Sequence, residues 1–446
     1  MGIRGIMAAL TPAGAAAALA VLPVGAGAVT TAHAAVSRSA GHMTPTMASP
    51  LAYRFVGQAK NAAALFSCQE PGAAINCYTP QELATAYDIP ATLNGAGQTI
   101  MIVDAFGNPT ITDDLNVFDT VFGLPPANLN ILYPSGQPTF DPTNADEVNW
   151  SGEIALDVES AHAVAPAATI DLVVAKSDQD SDILAAEQYA VRHDLGSVLS
   201  QSYGEAESCE ATSIKNADHV LYAQAAAKGI SVFASSGDDG AALPSCDGTS
   251  VFKSVSLPAA DPLVTSVGAT SLTATQTAGT YVSETAWNDE FGSSGGGFSA
   301  LYSRPIYQAL DHASSPGRGV PDVSYSGDVN NGLLIAWSQG NPANVGDIFL
   351  FGGTSAGSPQ WAAITALADQ AGNHRLGFLN PALYAIAATP LYGYVFHDVT
   401  TGNNSVTLAD ANGNPVSITG YSAGKGWDPV TGLGTPDVAH LIKVLH

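Results

Sequence analysis

The chain has 446 residues, with 14 Lys or Arg, 39 Asp or Glu and a formal net charge of −25. This charge argues against nucleic acid as a partner, because phosphates need a positive surface. Hydrophobic residues make up 46% and charged residues only 12%, which excludes a disordered acidic chain and indicates one large core or two to three domains. An acidic chain poor in Lys and Arg loses charge repulsion as pH falls, which suits acidic surroundings.

Residues 1–34 have the pattern of a secretory signal peptide. Arg4 supplies the positive start, residues 6–29 supply an Ala-rich apolar run, and Ala32-His33-Ala34 is a small-residue cleavage site. A retained membrane anchor is the alternative, but two prolines and many glycines would make this run a poor spanning helix. We therefore expect a secreted, extracellular protein with no membrane attachment after signal removal.

Residues 35–75 are rich in Ser, Ala, Pro and Met with weak periodicity, which predicts a linker or a short, loosely packed N-terminal arm. The four cysteines allow three pairings. In an exported protein we favour Cys68–Cys77 and Cys209–Cys246, which close short loops. A zinc site is the alternative, although the spacings match no common zinc pattern.

The following region alternates predicted strands and helices. Strands are predicted at 98–105, 129–133, 169–175, 197–203 and 230–235, and helices at 111–122, 151–165, 183–193 and 217–228. This alternation predicts an α/β fold with a mostly parallel central sheet and helices on both faces. Near the C-terminus, residues 405–420 predict a hairpin around Asn412-Gly413. Polar groups just past the strand ends are expected to gather at one edge of the sheet.

The chain is organised around Gly352–Pro359, between an apolar strand at Ile348–Phe351 and a helical pattern at Gln360–Ala368. Small residues there allow a sharp turn and leave Ser355 at or just before the helix start. Free N–H groups and the helix dipole favour developing negative charge at that point, which suits a nucleophile. Ordinary helix capping by the same residues is the alternative.

Glu153 and Asp157 are two acids that lie four residues apart in the predicted helix 151–165. On a helix they share one face, and if buried they would share a proton, with one pKa raised. A plain acidic face near a helix start is the alternative, and Glu159 is expected to be solvated. Asp238, in the Gly-rich stretch after a strand, is either a turn residue or a protonated donor to an oxyanion.

A subtilisin-like triad would need a histidine between Asp104 and Ser355. The candidates are His162, His193, His219 and His312, and none lies among small residues that would let it approach a nucleophile. A carboxylate base, working at acid pH, is therefore considered instead.

The chain from about Tyr78 to the C-terminus resembles the sedolisin family of serine-carboxyl peptidases. The motifs that carry the resemblance, in family order, are YTPQELATAYDIP, IVDAFGNP, GE-x-x-x-D, SQSYG, SSGDDG, LPAADPLVTSVGAT, SSGGGFS, GVPDVS, GGTSAGSP, HDVTTG and AGKGWDPVTGLGTPD. The resemblance implies a subtilisin-like fold over 76–446 and a secreted endopeptidase that cleaves proteins or peptides at acid pH. A monomer is the default for such an enzyme.

Carried over by position, the resemblance implies that Ser355 is the nucleophile and Glu153 the general base. Asp157 would orient Glu153 and couple to its proton, and a protonated Asp238 would be the oxyanion donor. Asp104 matches a position where relatives carry an acid that extends the proton network. Two stretches resemble strands that line the substrate groove, namely Ser202, Tyr203 and Gly204, and Ser294, Gly295 and Gly296.

The resemblance also implies one structural Ca²⁺ near the C-terminus. Its carboxylate ligands would be Asp398 and Asp428, with carbonyl ligands from Val399, Gly424 and Gly426, a set of hard oxygen donors that suits Ca²⁺. An ordinary turn stabilised by the two acids is the alternative.

One departure from the family concerns the N-terminus. Only some 40 residues separate the predicted signal cleavage from the peptidase domain, so we expect no long propeptide there, and the short arm is a candidate reduced inhibitor. Two other functions are considered. One is a catalytically idle secreted peptide-binding protein, and the other is a neutral, His-dependent hydrolase whose activity would rise with pH.

Overall fold

A computed structural model describes residue 47 and residues 52–59, 66–70, 73–309 and 315–446, so the predicted signal peptide lies outside the described residues. The α-helices are α1 Pro80–Ala86, α2 Ile111–Phe122, α3 Ala145–Val164, α4 Asp180–Arg192, α5 Thr212–Ala227, α6 Gly357–Gly372, α7 Asn380–Ala387, α8 Tyr392–Val395 and α9 Val438–Leu445. The strands are β1 Tyr53–Gln58, β2 Asn76–Tyr78, β3 Thr99–Ala105, β4 Asn128–Leu132, β5 Thr169–Ala175, β6 Val198–Gln201, β7 Glu205–Ala206, β8 Ser231–Ser235, β9 Ala242–Pro244, β10 Val251–Lys253, β11 Ser256–Leu257, β12 Thr265–Ala274, β13 Tyr281–Ala286, β14 Gly297–Ser303, β15 Gly317–Val320, β16 Val323–Ser326, β17 Asn331–Ala336, β18 Asp347–Phe351, β19 Phe396–His397, β20 Val406–Ala409, β21 Pro415–Ile418 and β22 Thr435–Pro436.

The central sheet has the spatial order β4–β5–β3–β6–β8–β12. All of these neighbours pair in parallel. Beyond them, β12 also pairs in parallel with β16 and antiparallel with the edge strand β13. The predicted α/β fold with a mostly parallel sheet is confirmed.

Strand β3 shows how both faces of the sheet are covered. Ile100 and Ile102 belong to the core that contains α3 and α6, whereas Met101 and Val103 belong to the core that contains α4 and α5. This alternation follows from the period of two in a strand. Helices α3 and α6 pack against each other, as do α4 and α5.

Three helices begin earlier than their apolar periodicity predicts, and one of them, α4, begins at Asp180 instead of residue 183. Helix α3 begins at Ala145 instead of residue 151, because the Asn144 side chain caps it by accepting a hydrogen bond from the Asp146 N–H. Helix α5 begins at Thr212 instead of residue 217. Its first turn is mostly exposed, so it carries no apolar pattern from which to predict it.

The strand that leads to Ser355 belongs to a separate small sheet with the order β1–β18–β17–β2. Strand β18 is antiparallel to both β1 and β17. Strand β1 lies inside the segment predicted to be a linker or a loosely packed arm, and it covers one edge of β18.

The hairpin predicted at 405–420 is present as β20 and β21. Both favoured disulfides, Cys68–Cys77 and Cys209–Cys246, are confirmed. Among the described residues, no helix combines the length and the apolarity that crossing a bilayer requires.

Candidate active site

Ser355 lies in a single turn of 3-10 helix, Thr354–Ala356, between β18 and α6. Gly353 opens the turn with a φ of 89°, a conformation that favours glycine. The start of α6 is held against the end of β6, because the Ser358 and Ser200 hydroxyl oxygens lie 3.0 Å apart. Ser355 is only 1% exposed, so the nucleophile candidate is fixed in a packed turn at the start of a helix, as predicted.

Asp238 lies directly beside this turn, in the loop after β8. Its Oδ1 accepts hydrogen bonds from the N–H and from the hydroxyl of Thr354, both at 2.8 Å. Its Oδ2 has no hydrogen-bond partner among the described residues. A Cβ built on Gly353 would lie 2.3 Å from Oδ2, so glycine is required for this close approach.

Burial raises the pKa of Asp238 to about 7, although the hydrogen bonds from Thr354 act in the opposite direction. At acid pH this carboxyl therefore carries a proton. With Oδ1 occupied as an acceptor, Oδ2 is the oxygen available to donate. The geometry fits a neutral acid that offers one O–H next to Ser355.

Glu153 and Asp157 lie on one face of α3, and both are fully buried. Helix α3 packs against the turn that carries Ser355 and against α6. Asp104, at the end of β3, is fully buried as well. The structure thus brings three carboxyl groups together beneath the carboxyl edge of the sheet.

These carboxyl groups repel one another in a site without solvent. Burial raises the pKa of Asp157 well above its usual range, and the charges of Asp104 and Glu153 raise it further. Burial and the charge of Glu153 likewise raise the pKa of Asp104. The proximity of Glu153 thus raises the pKa of Asp157, which is the behaviour of two acids that are able to share a proton.

Ser202 joins the acids to the turn of Ser355. Its hydroxyl lies 3.4 Å from the carbonyl oxygen of Ser355. Ser202 also partly offsets the raised pKa of Asp157, although neither carboxylate oxygen of Asp157 has a hydrogen-bond partner among the described residues. The sequence placed Ser202 in a motif that lines the groove, but nothing in the pattern indicated a contact with Asp157.

The described histidines are held away from this site. His162 is buried and pairs with Asp119 Oδ1 at 2.9 Å, while His219 pairs with Asp261 Oδ2 at 2.8 Å. His193 contacts the carbonyl of Tyr189, within its own helical turn. The fourth candidate, His312, lies outside the described residues. Each of the three candidates that the structure describes is thus paired with a group other than Ser355.

The expectation that Glu159 is solvated is wrong. Glu159 is fully buried, and its Oε2 accepts a hydrogen bond from the N–H of Ala336, on β17, at 2.8 Å. Strand β17 covers this side of α3 and supplies a donor that replaces water. Helical spacing alone did not reveal this cover.

The residues predicted to line the groove are placed unevenly. Tyr203 is 1% exposed, and its hydroxyl points to Glu187 on α4. The Gly295 N–H donates to the Gly237 carbonyl at 2.7 Å, and Ser294 is fully buried. A Cβ on Gly204 would lie 2.1 Å from Ser256 Oγ. These residues therefore have packing roles, and their pairing with a substrate backbone stays a prediction.

The five residues predicted to bind Ca²⁺ meet in one loop region. Asp428 Oδ2 accepts a hydrogen bond from the Gly424 N–H at 3.0 Å, and Asp398 Oδ1 accepts one from the Gly426 N–H at 3.0 Å. The Val399 carbonyl lies 3.3 Å from the hydroxyl of Thr431, which also reaches Asp428. A Cβ built on either glycine would meet no other atom within 4 Å. Carboxylates and carbonyls are the donor types that a hard cation takes, but in this structure both carboxylates accept hydrogen bonds from loop N–H groups, so an ion would have to displace these donors.

A comparison with family models gives no match. The chain is 35% identical to kumamolisin from Bacillus sp. over 394 residues. This alignment covers 85% of this chain and 66% of kumamolisin. The chain is 30% identical over 390 residues to tripeptidyl-peptidase sed4 from Aspergillus fumigatus, covering 74% of this chain and 60% of that protein. The chain thus spans less than two thirds of the length of these curated relatives.

A solved structure of a serine-carboxyl proteinase is also similar to this chain. It is described as Pseudomonas sedolisin (serine-carboxyl proteinase) complexed with two molecules of pseudo-iodotyrostatin. The TM-score is 0.70 at 29% sequence identity, and the match covers 83% of this chain and 98% of that one.

Proposed function

Because the chain belongs to the sedolisin family, we propose that it is a secreted serine-carboxyl endopeptidase that cleaves proteins and peptides at acid pH. The observation that carries this proposal is the group of buried carboxyls beside Ser355. Among them, Asp238 keeps one oxygen free next to the turn. A binding protein would have no use for four acids buried at this cost in desolvation.

In the proposed mechanism, Ser355 Oγ attacks the carbonyl carbon of the scissile peptide bond while Glu153 takes its proton. The carbonyl oxygen becomes an oxyanion, and the neutral Asp238 donates a hydrogen bond to it from Oδ2. Glu153 then gives its proton to the leaving amine, which releases the first product and leaves an acyl-enzyme on Ser355. Water then attacks the acyl-enzyme while Glu153 takes a proton from it. Glu153 returns this proton to Ser355 Oγ, which releases the second product.

Asp157 and Ser202 support these steps without touching the substrate. Asp157 shares a proton with Glu153, which holds the Glu153 carboxyl in place. The sharing also lets Glu153 take up the Ser355 proton at low pH. Ser202 fixes Asp157 from the side of Ser355. The Ca²⁺ proposed at Asp398, Asp428 and the carbonyls of Val399, Gly424 and Gly426 would serve the fold by holding this loop.

The test is a pH–rate profile on a denatured protein substrate, with wild type beside Ser355→Ala. We expect an acid optimum in wild type and no activity in the variant. If the folded wild type cleaves nothing at any pH while it still binds peptide, the idle binding protein is the correct function. An optimum that moves to neutral pH would favour the His-dependent hydrolase.

Endopeptidase action needs a separate measurement, since one relative carries the name tripeptidyl-peptidase. A peptide with an acetylated N-terminus is the discriminating substrate. We expect internal cleavage of the blocked peptide at a rate similar to that of the free one. Release of tripeptides from the free peptide alone would overturn the endopeptidase proposal.

A further inference from the structure

The end of β6 presents its side chains to both faces of the sheet. The Ser202 hydroxyl lies 3.4 Å from the carbonyl oxygen of Ser355, and Ser202 is close enough to Asp157 to lower its pKa. Its neighbours, Gln201 and Tyr203, point to the opposite face, where their side chains contact Glu187. This alternation is the ordinary one of an extended chain. Whatever holds Gln201 and Tyr203 therefore also sets the position of Ser202.

Glu187, on α4, is the group that holds them. Its Oε1 accepts a hydrogen bond from the Tyr203 hydroxyl at 2.8 Å and another from Gln201 Nε2. Its Oε2 lies 3.4 Å from the hydroxyl of Tyr222, on α5. Glu187 is 2% exposed. Three donors thus converge on one buried carboxyl, and two of them flank Ser202.

The surroundings of Glu187 are acidic. The titratable groups that face it or its immediate neighbours are Tyr203, Tyr222, Glu210, Asp218, Asp180, Asp261, Asp104 and Lys215. Lys215 is the one cation of this set, and its ammonium group donates to the Glu207 carbonyl. Burial raises the pKa of Glu187 to about 8, and the charge of Glu210 adds to the effect. Below that pH the Glu187 carboxyl is neutral.

We propose that neutral Glu187 is a positioning residue, which holds the end of β6 so that Ser202 reaches Ser355 and Asp157. Loss of its proton places a charge between α4 and α5, near Glu210, whose own charge opposes the ionisation of Glu187. The cluster then relaxes by separating or by admitting water. Either change loosens Gln201 and Tyr203, and through them Ser202. Glu187 thereby acts on the catalytic groups from the far face of the sheet.

Amide hydrogen exchange of a peptide covering residues 198–206 tests the proposal without any need for activity. After correction for the intrinsic rate, wild type is expected to exchange faster above pH 8 than at pH 6. Glu187→Gln, which keeps a neutral acceptor, should remove this pH dependence. Glu187→Ala should exchange fast at both pH values.

Glu284→Gln is the matched control. Glu284 is also a buried glutamate that accepts a tyrosine hydroxyl, from Tyr87 at 2.6 Å, but it lies on β13. This variant should keep the wild-type pH dependence in residues 198–206. If Glu187→Gln behaves like Glu284→Gln, the proposal is overturned.

The kinetic readout rests on the proposed function. At acid pH, Glu187→Ala should lower kcat/KM about tenfold, in line with the loss of hydrogen bonds from a buried group. Glu187→Gln should restore most of it. Tyr203→Phe, a milder change, should lower kcat/KM in the same direction, and the double variant Glu187→Ala/Tyr203→Phe should be less than additive. Full additivity would contradict the proposal. If wild type shows the expected pH dependence of exchange but has no peptidase activity, only the proposed function is refuted and the role of Glu187 stands.

Discussion

Two groups of buried acids lie on opposite faces of the same sheet. The first, which we call the Ser355 group, contains Asp104, Glu153 and Asp157. The second, the α4–α5 group, contains Glu187, Glu210 and Asp218. Burial raises the pKa of Asp104 and Asp157 in the first group, and of all three acids in the second.

The two groups differ in what surrounds the carboxyls. In the Ser355 group the proposed nucleophile Ser355, the N-terminus of α6 and the unpartnered Oδ2 of Asp238 lie close by. In the α4–α5 group, phenol and amide donors from Tyr203 and Gln201 occupy Glu187. A raised pKa is therefore a sign of burial in both places, and the proposed nucleophile Ser355 is what distinguishes the proposed catalytic acids from the acids of the α4–α5 group.

The largest expected effect comes from the same substitution made once in each group. Glu153→Gln removes the proposed base and should lower kcat/KM by about 10⁴-fold. Glu210→Gln changes a buried acid that has no nucleophile beside it and should leave kcat/KM within about threefold of wild type. Rates on a quenched peptide at acid pH provide the measurement. Equal losses in the two folded variants would break the distinction between the groups.

Asp238 offers the next largest effect. Asp238→Ala removes the proposed oxyanion donor and should lower kcat by about 10²–10³-fold. Asp238→Asn keeps an acceptor for Thr354 and supplies an N–H donor at the position of Oδ2. Because the pKa of Asp238 is about 7, wild type should lose activity as pH rises through that value, whereas the Asn variant should not lose its donor.

The measurement is the alkaline limb of kcat for wild type and for Asp238→Asn under identical conditions. An upward shift of that limb in the variant is expected. An unchanged limb would mean that another ionisation limits the rate.

The α4–α5 group predicts how stability depends on pH. Burial raises the folded-state pKa of Glu187 to about 8 and that of Glu210 to about 7, above the ordinary glutamate value of about 4.3. Between these values the folded state binds more protons than the unfolded state. The stabilisation is therefore complete below about pH 4.3 and is lost as pH rises through 7 and 8.

Melting temperatures at pH 4 and pH 8 test this. We expect a lower Tm at pH 8, and Glu210→Gln should reduce the difference by about 5 °C. A Tm that rises from pH 4 to pH 8 would show that the carboxyls of this group are ionised in the folded protein.

The smallest effect concerns two acids outside both groups, Asp398 and Asp428, which accept hydrogen bonds from loop N–H groups. If they bind Ca²⁺, adding an excess of chelator to the calcium-saturated protein should lower its Tm by about 3 °C. Asp398→Asn should have the lower Tm already and should not respond to chelator. A wild-type Tm that ignores the chelator would make this loop an ordinary turn.

Much of the fold could be predicted from the sequence because strong local patterns carry it. Strands β3, β5 and β8 are short segments rich in apolar residues, and the parallel sheet follows from their alternation with helices. The position of Ser355 followed from small residues between a strand and a helix. These signals are local, so a single sequence contains them in full.

The remaining features depend on partners that are distant in the chain. Glu159 is buried because β17 covers it and the Ala336 N–H reaches it. Tyr203 turns away from the groove because Glu187 lies on the other face. The pairing of Thr354 with Asp238 likewise joins two loops. No spacing within one segment encodes such contacts.

Strand β1 has a consequence for solubility. It pairs along one edge of β18, while β17 pairs along the other. The β18 side chains Ile348, Phe349, Leu350 and Phe351 are all buried. A shortened protein that lacks residues 53–58 would present β18 as an open, apolar edge with unpaired N–H and C=O groups, which is a template for edge-to-edge aggregation. Expression of the peptidase domain in soluble form is therefore expected to require this N-terminal strand.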